Sequence, residues 1–409
     1  MSKLITNTIR HTGATSDSLT FNSDGHATVE NNLTVDGTST LTGNVTATGT
    51  LSASNFSNRN IVINGAFQVW QRGTSSSAAG YQTADRFKTT FGGNDEDPTR
   101  SKLDLTSSDT GPWAEGFRAA YRITNGNQTS TGAGDWIQIE HKIEAQDMAN
   151  SGWDYNSASS KITLSFWVKS SIAQTFYGFI LLSDGTTQQY PFSLGALAAN
   201  TWTKVTKTIP GHANLTFNND TGEGLRITII PFYGTTYTSS GVTLDAWSAY
   251  GSGTDCCPDY TDTWYDTDDA TFDITGVQLE VGDVATEFEH RSFGDELLKC
   301  ARYYQEQQGH SDYHIQAGKG QGTTTVDAGH SLVVPLRGNP TIVCSANRVH
   351  RHDGYSDSTT APTVTTWDSN HSPHSSILGI NLSGHSSITS NYIVGWTPKS
   401  ALFKLDAEL

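Results

Sequence analysis

Three consecutive six-residue rungs constrain this chain more than any other feature. Val35-Asp-Gly-Thr-Ser-Thr40, Leu41-Thr-Gly-Asn-Val-Thr46 and Ala47-Thr-Gly-Thr-Leu-Ser52 follow one another without a gap, with glycine at 37, 43 and 49. An apolar residue opens each rung, and Val45 and Leu51 recur at the fifth place. Short strand pieces punctuated by turn glycines cannot bury an apolar stripe alone, and stacked neighbours supply the missing surface. So few rungs are too few for a single-chain solenoid. The expectation is a homotrimeric β-stalk over residues 33–57, with Val35, Leu41, Val45 and Leu51 in its core. The alternative is a flexible Thr/Gly/Ser linker, which has no reason to keep glycine and apolar positions in phase.

The chain has 409 residues, enough for two or three domains with real cores. It is rich in Gly, Thr and Ser, only 16% charged, and has ten Trp against two Met, which favours all-β structure. A formal net charge of −16 argues against a nucleic-acid partner, which asks for a basic patch. No stretch approaches the length of an apolar membrane span, and Met1-Ser-Lys-Leu-Ile-Thr-Asn lacks the core of a signal peptide. Membrane insertion is therefore not expected, and synthesis in a cytosol is. Cys256, Cys257, Cys300 and Cys344 form neither a disulfide scaffold nor a CxxC motif, so buried, reduced thiols are expected.

Residues 1–32 are polar with sparse apolar positions and are expected to order against a partner. From 58 to 292 period-two patterns dominate. Ile137, Ile139 and Ile143 alternate with polar neighbours, as do Ile162, Leu164, Phe166 and Val168, then Leu225, Ile227 and Ile229, then Val277, Leu279 and Val281. Such strands, separated by Gly/Asn/Asp turns, predict an antiparallel β-sandwich of the jelly-roll kind, opened by a strand at Ile61–Phe67. One connecting helix is predicted over 293–310, running from Phe293 to Gln308, with Ser292 or Asp295 as its cap and Gly309 as its stop. Residues 311–409 read as a β-sandwich tip with strands at 332–336, 341–344, 363–367, 377–382 and 392–396. The alternation Phe403-Lys-Leu-Asp-Ala-Glu-Leu409 predicts a last strand inside a sheet.

Several of these segments are familiar in kind and in order. Leu4-Ile-Thr-Asn-Thr-Ile-Arg-His-Thr-Gly-Ala14 followed by the hexads resembles the virion-attachment end of bacteriophage tail-fibre and appendage proteins, those of cyanophages in particular. Asn60-Ile-Val-Ile-Asn-Gly-Ala-Phe-Gln-Val-Trp-Gln-Arg72 resembles the opening strand of the jelly roll found in such fibres. Lys161-Ile-Thr-Leu-Ser-Phe-Trp-Val-Lys169, Thr201-Trp-Thr-Lys-Val205 and Phe272-Asp-Ile-Thr-Gly-Val-Gln-Leu-Glu280 are similar to segments of galactose-binding-like carbohydrate-binding modules. The resemblance covers roughly residues 1–310. It implies a virion appendage made in the host cytoplasm, held to a tail or capsid protein through residues 1–32 and attaching to the host surface through glycan.

A glycan site needs aromatic faces and a few orienting polar groups. Trp153 and Tyr155, Trp247 and Tyr250, and Trp264 and Tyr265 lie in Gly/Ser/Asp-rich, loop-like contexts and are the candidates. Trp167 points away from the apolar face of its strand. Two metal readings accompany them, neither required for function. The acidic run Asp255, Asp259, Asp262, Asp266, Asp268, Asp269 and Asp273 is a candidate for structural calcium, although Ala66 stands where the resembled family often carries an acid. His350 and His352, repeated in three chains on one axis, are candidates for an axial metal ion. There is no GxSxG, HExxH, Walker loop or dinucleotide-binding glycine motif, so no enzyme is expected. The alternatives are a polysaccharide-degrading tailspike and a capsid-decorating fibre.

Overall fold

The structure is a computed structural model that describes residues 8–9, 19–21, 27–29, 58–251, 253–308, 316–344, 347–351, 354–358, 364–366, 374–385, 388, 393–398 and 402–409. The chain divides into two compact units, Met1–Ser54 and Asn55–Leu409. In the first, β1 (Thr8–Ile9), β2 (Leu19–Phe21) and β3 (Ala27–Val29) form a small antiparallel sheet. The expected stalk residues Val35, Leu41, Val45 and Leu51 lie outside the described residues.

The second unit begins with a β-sandwich. Its strands are β4 (Ser75–Ser76), β5 (Phe87–Gly92), β6 (Thr99–Asp104), β7 (Ala119–Thr124), β8 (Trp136–Glu144), β9 (Lys161–Ser170), β10 (Gln174–Leu182), β11 (Gln188–Leu197), β12 (Thr203–Pro210), β13 (Glu223–Tyr233), β14 (Ser248–Ala249) and β15 (Thr271–Val281). A one-turn helix, α1 (Ala145–Ala149), follows β8. One six-stranded sheet has the order β14-β11-β10-β13-β8-β5 and the other β12-β9-β15-β7-β6-β4. All the ladders in both are antiparallel. The chain is therefore all-β, of the jelly-roll kind. The alternating residues read from sequence meet between the sheets: Ile137, Ile139 and Ile143 from one, Ile162, Leu164, Phe166 and Val168 from the other, each at most 3% exposed. Each such side chain contributes about 1.5–3 kcal/mol by leaving water. The central strands β13 and β15 are buried on both faces, so their outer faces are covered as well.

The strand expected at Ile61–Phe67 is not formed. Asn64 and Phe67 take positive φ, and the segment folds into a buried turn against the end of β15. Ile61 N–H donates to the Leu279 carbonyl and Val277 N–H to the Gly65 carbonyl, both at 2.9 Å. The segment thus borders β15 beyond the point where pairing with β7 ends at Ile274↔Tyr121.

The connecting helix is shorter than its apolar spacing suggested. It runs as α2 (Phe293–Ala301), capped by Ser292 Oγ, which accepts from Asp295 N–H. Tyr304–Gln308, read as the helix's second half, is instead β16, paired with the chain's last strand. Two adjacent tyrosines suit a sheet better than a helix end. The remaining strands are β17 (Gln316–Gly320), β18 (Val326–Ser331), β19 (Thr341–Cys344), β20 (Asn347–Arg351), β21 (Gly354–Ser358), β22 (Val364–Thr366), β23 (Ile377–Leu382), β24 (Ile393–Pro398) and β25 (Leu402–Asp406). They form a seven-stranded sheet, β21-β20-β24-β17-β18-β23-β22, and with β16 a three-stranded one, β16-β25-β19. The alternation at the C-terminus is the centre strand of that small sheet. The run Leu332-Val-Val-Pro-Leu336 follows β18 as an irregular segment, since Pro335 cannot donate to a ladder.

His330 on β18 is 1% exposed and wedged against Phe403 and Trp396, at 4.6 and 6.0 Å between ring centroids. Among the described residues, neither of its ring nitrogens has a hydrogen-bond partner. Burial pushes its pKa down to about 4 from 6.5. His141, fully buried beside Arg86, is lowered for the same reason and further by the Arg86 charge. The unfolded chain protonates these imidazoles near pH 6.5 while the folded one keeps them neutral. Stability is therefore full above that value and falls as pH drops, for His330 by about 3 kcal/mol once pH 4 is reached. Asp85 acts in the opposite sense, because burial raises its pKa to about 6. The His330 contribution is isolated by comparison: wild type should lose more stability between pH 7 and pH 5 than His330→Leu in denaturant titrations. Equal losses exclude His330 as a source of acid sensitivity.

Candidate functional site

The six aromatic candidates separate into two groups. Trp153, Trp264 and Tyr265 are 3%, 0% and 0% exposed and belong to the sandwich core. Trp264 Nε1 donates to the Thr271 carbonyl at 3.1 Å, and Tyr265 stacks on Phe232 with centroids 4.0 Å apart. Trp153 packs near Phe217, and half-buried Tyr155 meets the same ring edge-on at 4.9 Å. The loops carrying Trp153, Trp264 and Tyr265 turn these rings inward to close the sandwich, so they offer no sugar platform. Their polar sequence context had suggested exposure; the rings are large enough to pull the loops down.

Trp247 is different. It is half-buried, with Tyr190 on one side at 5.2 Å and its Nε1 donating to the Pro210 carbonyl at 2.7 Å. It lines a cavity of about 470 Å³ with Gln189, Val242, Thr243, Ser248 and Asp255. The cavity lies between edge strand β11, to which β14 adds two residues through Gln189↔Ser248 and Gln188↔Ala249, and the segment leading from Ser239 to Asp255. That segment is anchored at its ends by Thr238 pairing with Cys257 and by Ser239 N–H donating to the Cys257 carbonyl. Tyr250 sits just past β14, its N–H donating to the Thr187 carbonyl at 3.0 Å. Its ring packs with a second cluster containing Phe179, Tyr233, Cys256 and Cys257 and does not line the cavity. Burial, then the Asp255 charge, pushes the Cys256 thiol up to about 12, and burial holds the Cys257 thiol well above its ordinary value too. These thiols stay protonated and unreactive near neutrality.

The hydrogen bonding in the wall behind the Trp247 cavity is incomplete among the described residues. Gln189, 1% exposed, donates through Nε2 to the Asp255 carbonyl at 3.1 Å. Its Oε1 has no donor, and neither does the shielded Oδ1 of Asp255. Gln189 was invisible to sequence reasoning: a glutamine within Gln188-Gln189-Tyr190 carries no signal until β14 pairs beside it.

The outer face of the other sheet carries an aromatic layer that sequence reasoning found only through Trp167. Trp167 Nε1 donates to Glu115 Oε2 and Trp202 Nε1 to Asp109 Oδ1, both at 3.0 Å. Arg118 lies over Trp113 at 3.7 Å and Lys169 over Trp202 at 4.7 Å. The loop through Gly111 covers Trp167, where a Cβ at Gly111 would meet the indole at 2.6 Å. The neighbouring cavity of about 650 Å³ is lined in part by Glu115, Lys204, Thr286 and His290. These four side chains are already committed to protein partners.

Neither metal expectation finds a cluster. Among the described residues, no three His, Cys, Asp or Glu side chains converge as a metal site. Asp273 is instead paired with Arg122 at 2.7 Å and Lys169 at 3.5 Å, and Asp259 and Asp266 accept from the Thr238 and Thr131 hydroxyls. His350 falls on β20, and His352 lies outside the described residues.

No family model matches the chain, and neither does any curated protein. Solved structures resemble part of it. The tailspike protein 4 enzymatically active domain of bacteriophage CBA120 is 10% identical over 55% of this chain, at a TM-score of 0.29. This chain spans about a fifth of that one, 21% of its length. A CBM4 structure is 14% identical over 54% of this chain and 99% of its own, at 0.27. TmCBM61, solved with β-1,4-galactotriose, is 9% identical over 56% of this chain and 100% of its own, at 0.25. Likeness of that extent carries no functional argument.

Proposed function

We propose that this chain is a non-catalytic, homotrimeric virion appendage of the bacteriophage tail-fibre type, whose sandwich holds glycan on the host surface. The observation that carries glycan binding is the Trp247 cavity, where an indole and a rim of hydroxyls from Thr243 and Ser248 meet. That combination of apolar surface with a few fixed polar groups is what a saccharide requires. The virion reading rests on the ordered resemblance of residues 1–310, and the trimer on the in-phase hexads with their one-sided stripe. Absence of catalysis is supported at this cavity by its single lining carboxylate, Asp255, because glycoside hydrolysis ordinarily uses two carboxyl groups across the scissile bond.

A single weak contact suffices for such a protein. Three copies per fibre raise avidity by about 10²–10⁴ where geometry lets them engage together. The expected native mass is three times 44.1 kDa. Leu41→Asp combined with Val45→Asp should return it to that of one chain, since several charges would crowd the axis unpaired. Isolated trimer added before infection should slow adsorption to the host. A wild-type monomer at micromolar concentration removes the stalk, and unaltered adsorption at large excess removes the attachment role.

A further inference from the structure

Six of the eight large apolar side chains that stand exposed among the described residues lie between positions 293 and 393. Three of the six gather at one place. Leu298, 49% exposed, lines a groove of about 580 Å³ with Ile63, Val334 and Pro335. Val333, 60% exposed, precedes Val334 in the chain. The Ser331↔Ile377 pairing and the Leu332 N–H bond to the Ser376 carbonyl bring Ile377, 58% exposed, beside it. Single exposed apolar residues are ordinary, but a contiguous group around a concave site marks a contact surface. The charged lining of the groove is Lys299, Arg302 and Asp147. Arg302 is held by Glu144 at 2.7 Å, whereas Lys299 closes no ion pair among the described residues.

The same chain carries a knob that suits this groove. Phe293 opens α2 with 56% of its surface exposed, and its neighbours Ser292 and Gly294 are small and exposed as well. Five helical positions separate it from Leu298, about 140° around the helix and about 7.5 Å along it. The knob therefore faces away from its own groove and cannot fill it. Asp295, exposed beside the knob, supplies the charge opposite to that of Lys299. A contact of so few residues falls short of the roughly 1,000 Å² that free partners need for a stable complex. Copies already joined elsewhere meet at an effective concentration on the order of millimolar, and for them it is enough. The size of the contact thus favours a second copy of this chain over a free partner.

We infer, resting on the homotrimer reading above, that neighbouring copies touch head to tail here: Phe293 of one copy enters the groove beside Leu298 of the next. Three such contacts about a threefold axis close a ring and leave no knob or groove empty. The helix between sandwich and tip is thereby a second site of assembly, separate from the hexads.

Cysteine cross-linking in the full chain tests this. Phe293→Cys and Leu298→Cys are placed in separate chains and coexpressed; both positions are exposed, so thermal midpoints should stay near that of wild type. A short bis-maleimide should give covalent dimers on a denaturing gel from the coexpressed pair and none from either variant alone. Wild type, which keeps the half-buried Cys344, sets the background. Ile393→Cys, at an 84% exposed position on β24, should give no dimer when coexpressed with Leu298→Cys. Dimers from Phe293→Cys alone would mean that like residues meet, and they overturn the head-to-tail contact, as does an equal yield with Ile393→Cys. A native trimer whose coexpressed pair does not cross-link overturns this contact and leaves the homotrimer reading standing. A native monomer overturns both.

Discussion

Replacing Glu408 by Ala is expected to cost about 3–5 kcal/mol of stability, because it strips a buried cation of its partner. Glu408 lies just past β25 with 5% of its side chain exposed, and pairs with Arg86 and, at 3.2 Å, with Arg72. The two arginine side chains are 1% and 6% exposed. Arg72 keeps Asp406 at 3.1 Å and Asp85 at 3.5 Å when Glu408 is gone. Among the described residues, Arg86 keeps only the Lys142 carbonyl and the face of Tyr303, 3.4 Å from its guanidinium carbon. The uncompensated charge therefore falls on Arg86. The loss should be read as a lower denaturant midpoint and should persist in high salt, since a buried pair is poorly screened. Arg86→Met with Glu408→Met should be less damaging than Glu408→Ala alone, as removing both charges removes the unpaired one. Equal destabilisation of the two variants would show that packing, and not charge, holds the C-terminal strand to the sandwich.

That network explains why the architecture was readable in outline and not in its joints. Period-two patterns depend only on which face of a strand meets apolar neighbours, so Ile137–Ile143 and Ile162–Val168 identified core strands directly. The last strand was legible for the same reason, from Phe403 and Leu405. The links from Arg72 and Arg86 to Glu408 join residues more than three hundred positions apart, and no local pattern encodes that closure. The candidate site was half legible. Trp247 stood out as an aromatic in a polar loop, yet Trp153, Trp264 and Tyr265 gave the same signal and are buried. Only long-range packing separates them, and only cross-strand pairing with Ser248 brings Gln189 into the cavity. The helix end failed on a competition between levels: Leu297, Ala301 and Tyr304 keep helical spacing, but pairing of Tyr304 with Asp406 wins over local preference.

Asn64→Ala should destabilise the sandwich by about 4 kcal/mol, a large effect for a neutral side chain. Asn64 is fully buried at the turn that replaces the expected opening strand. Its Nδ2 donates to the carbonyls of Val69 and Asp85, both at 2.9 Å. Its Oδ1 accepts from the N–H groups of Gln68 and Val69, at 2.9 and 3.0 Å. One side chain thus bonds four backbone groups of Gln68, Val69 and Asp85, and ties the exit of the turn to the segment that leads into β5. The residue also sits at φ 61, a conformation asparagine tolerates better than alanine. Two causes therefore contribute, and two further variants separate them. Asn64→Gly relieves the backbone strain but not the lost bonds, and should recover only about 1 kcal/mol of the loss. Asn64→Asp keeps the acceptors for Gln68 and Val69 but turns a carboxylate toward two carbonyl oxygens, and should remain strongly destabilised. Recovery of near wild-type stability by Asn64→Gly would assign the effect to backbone conformation alone, and the four hydrogen bonds would then carry none of it.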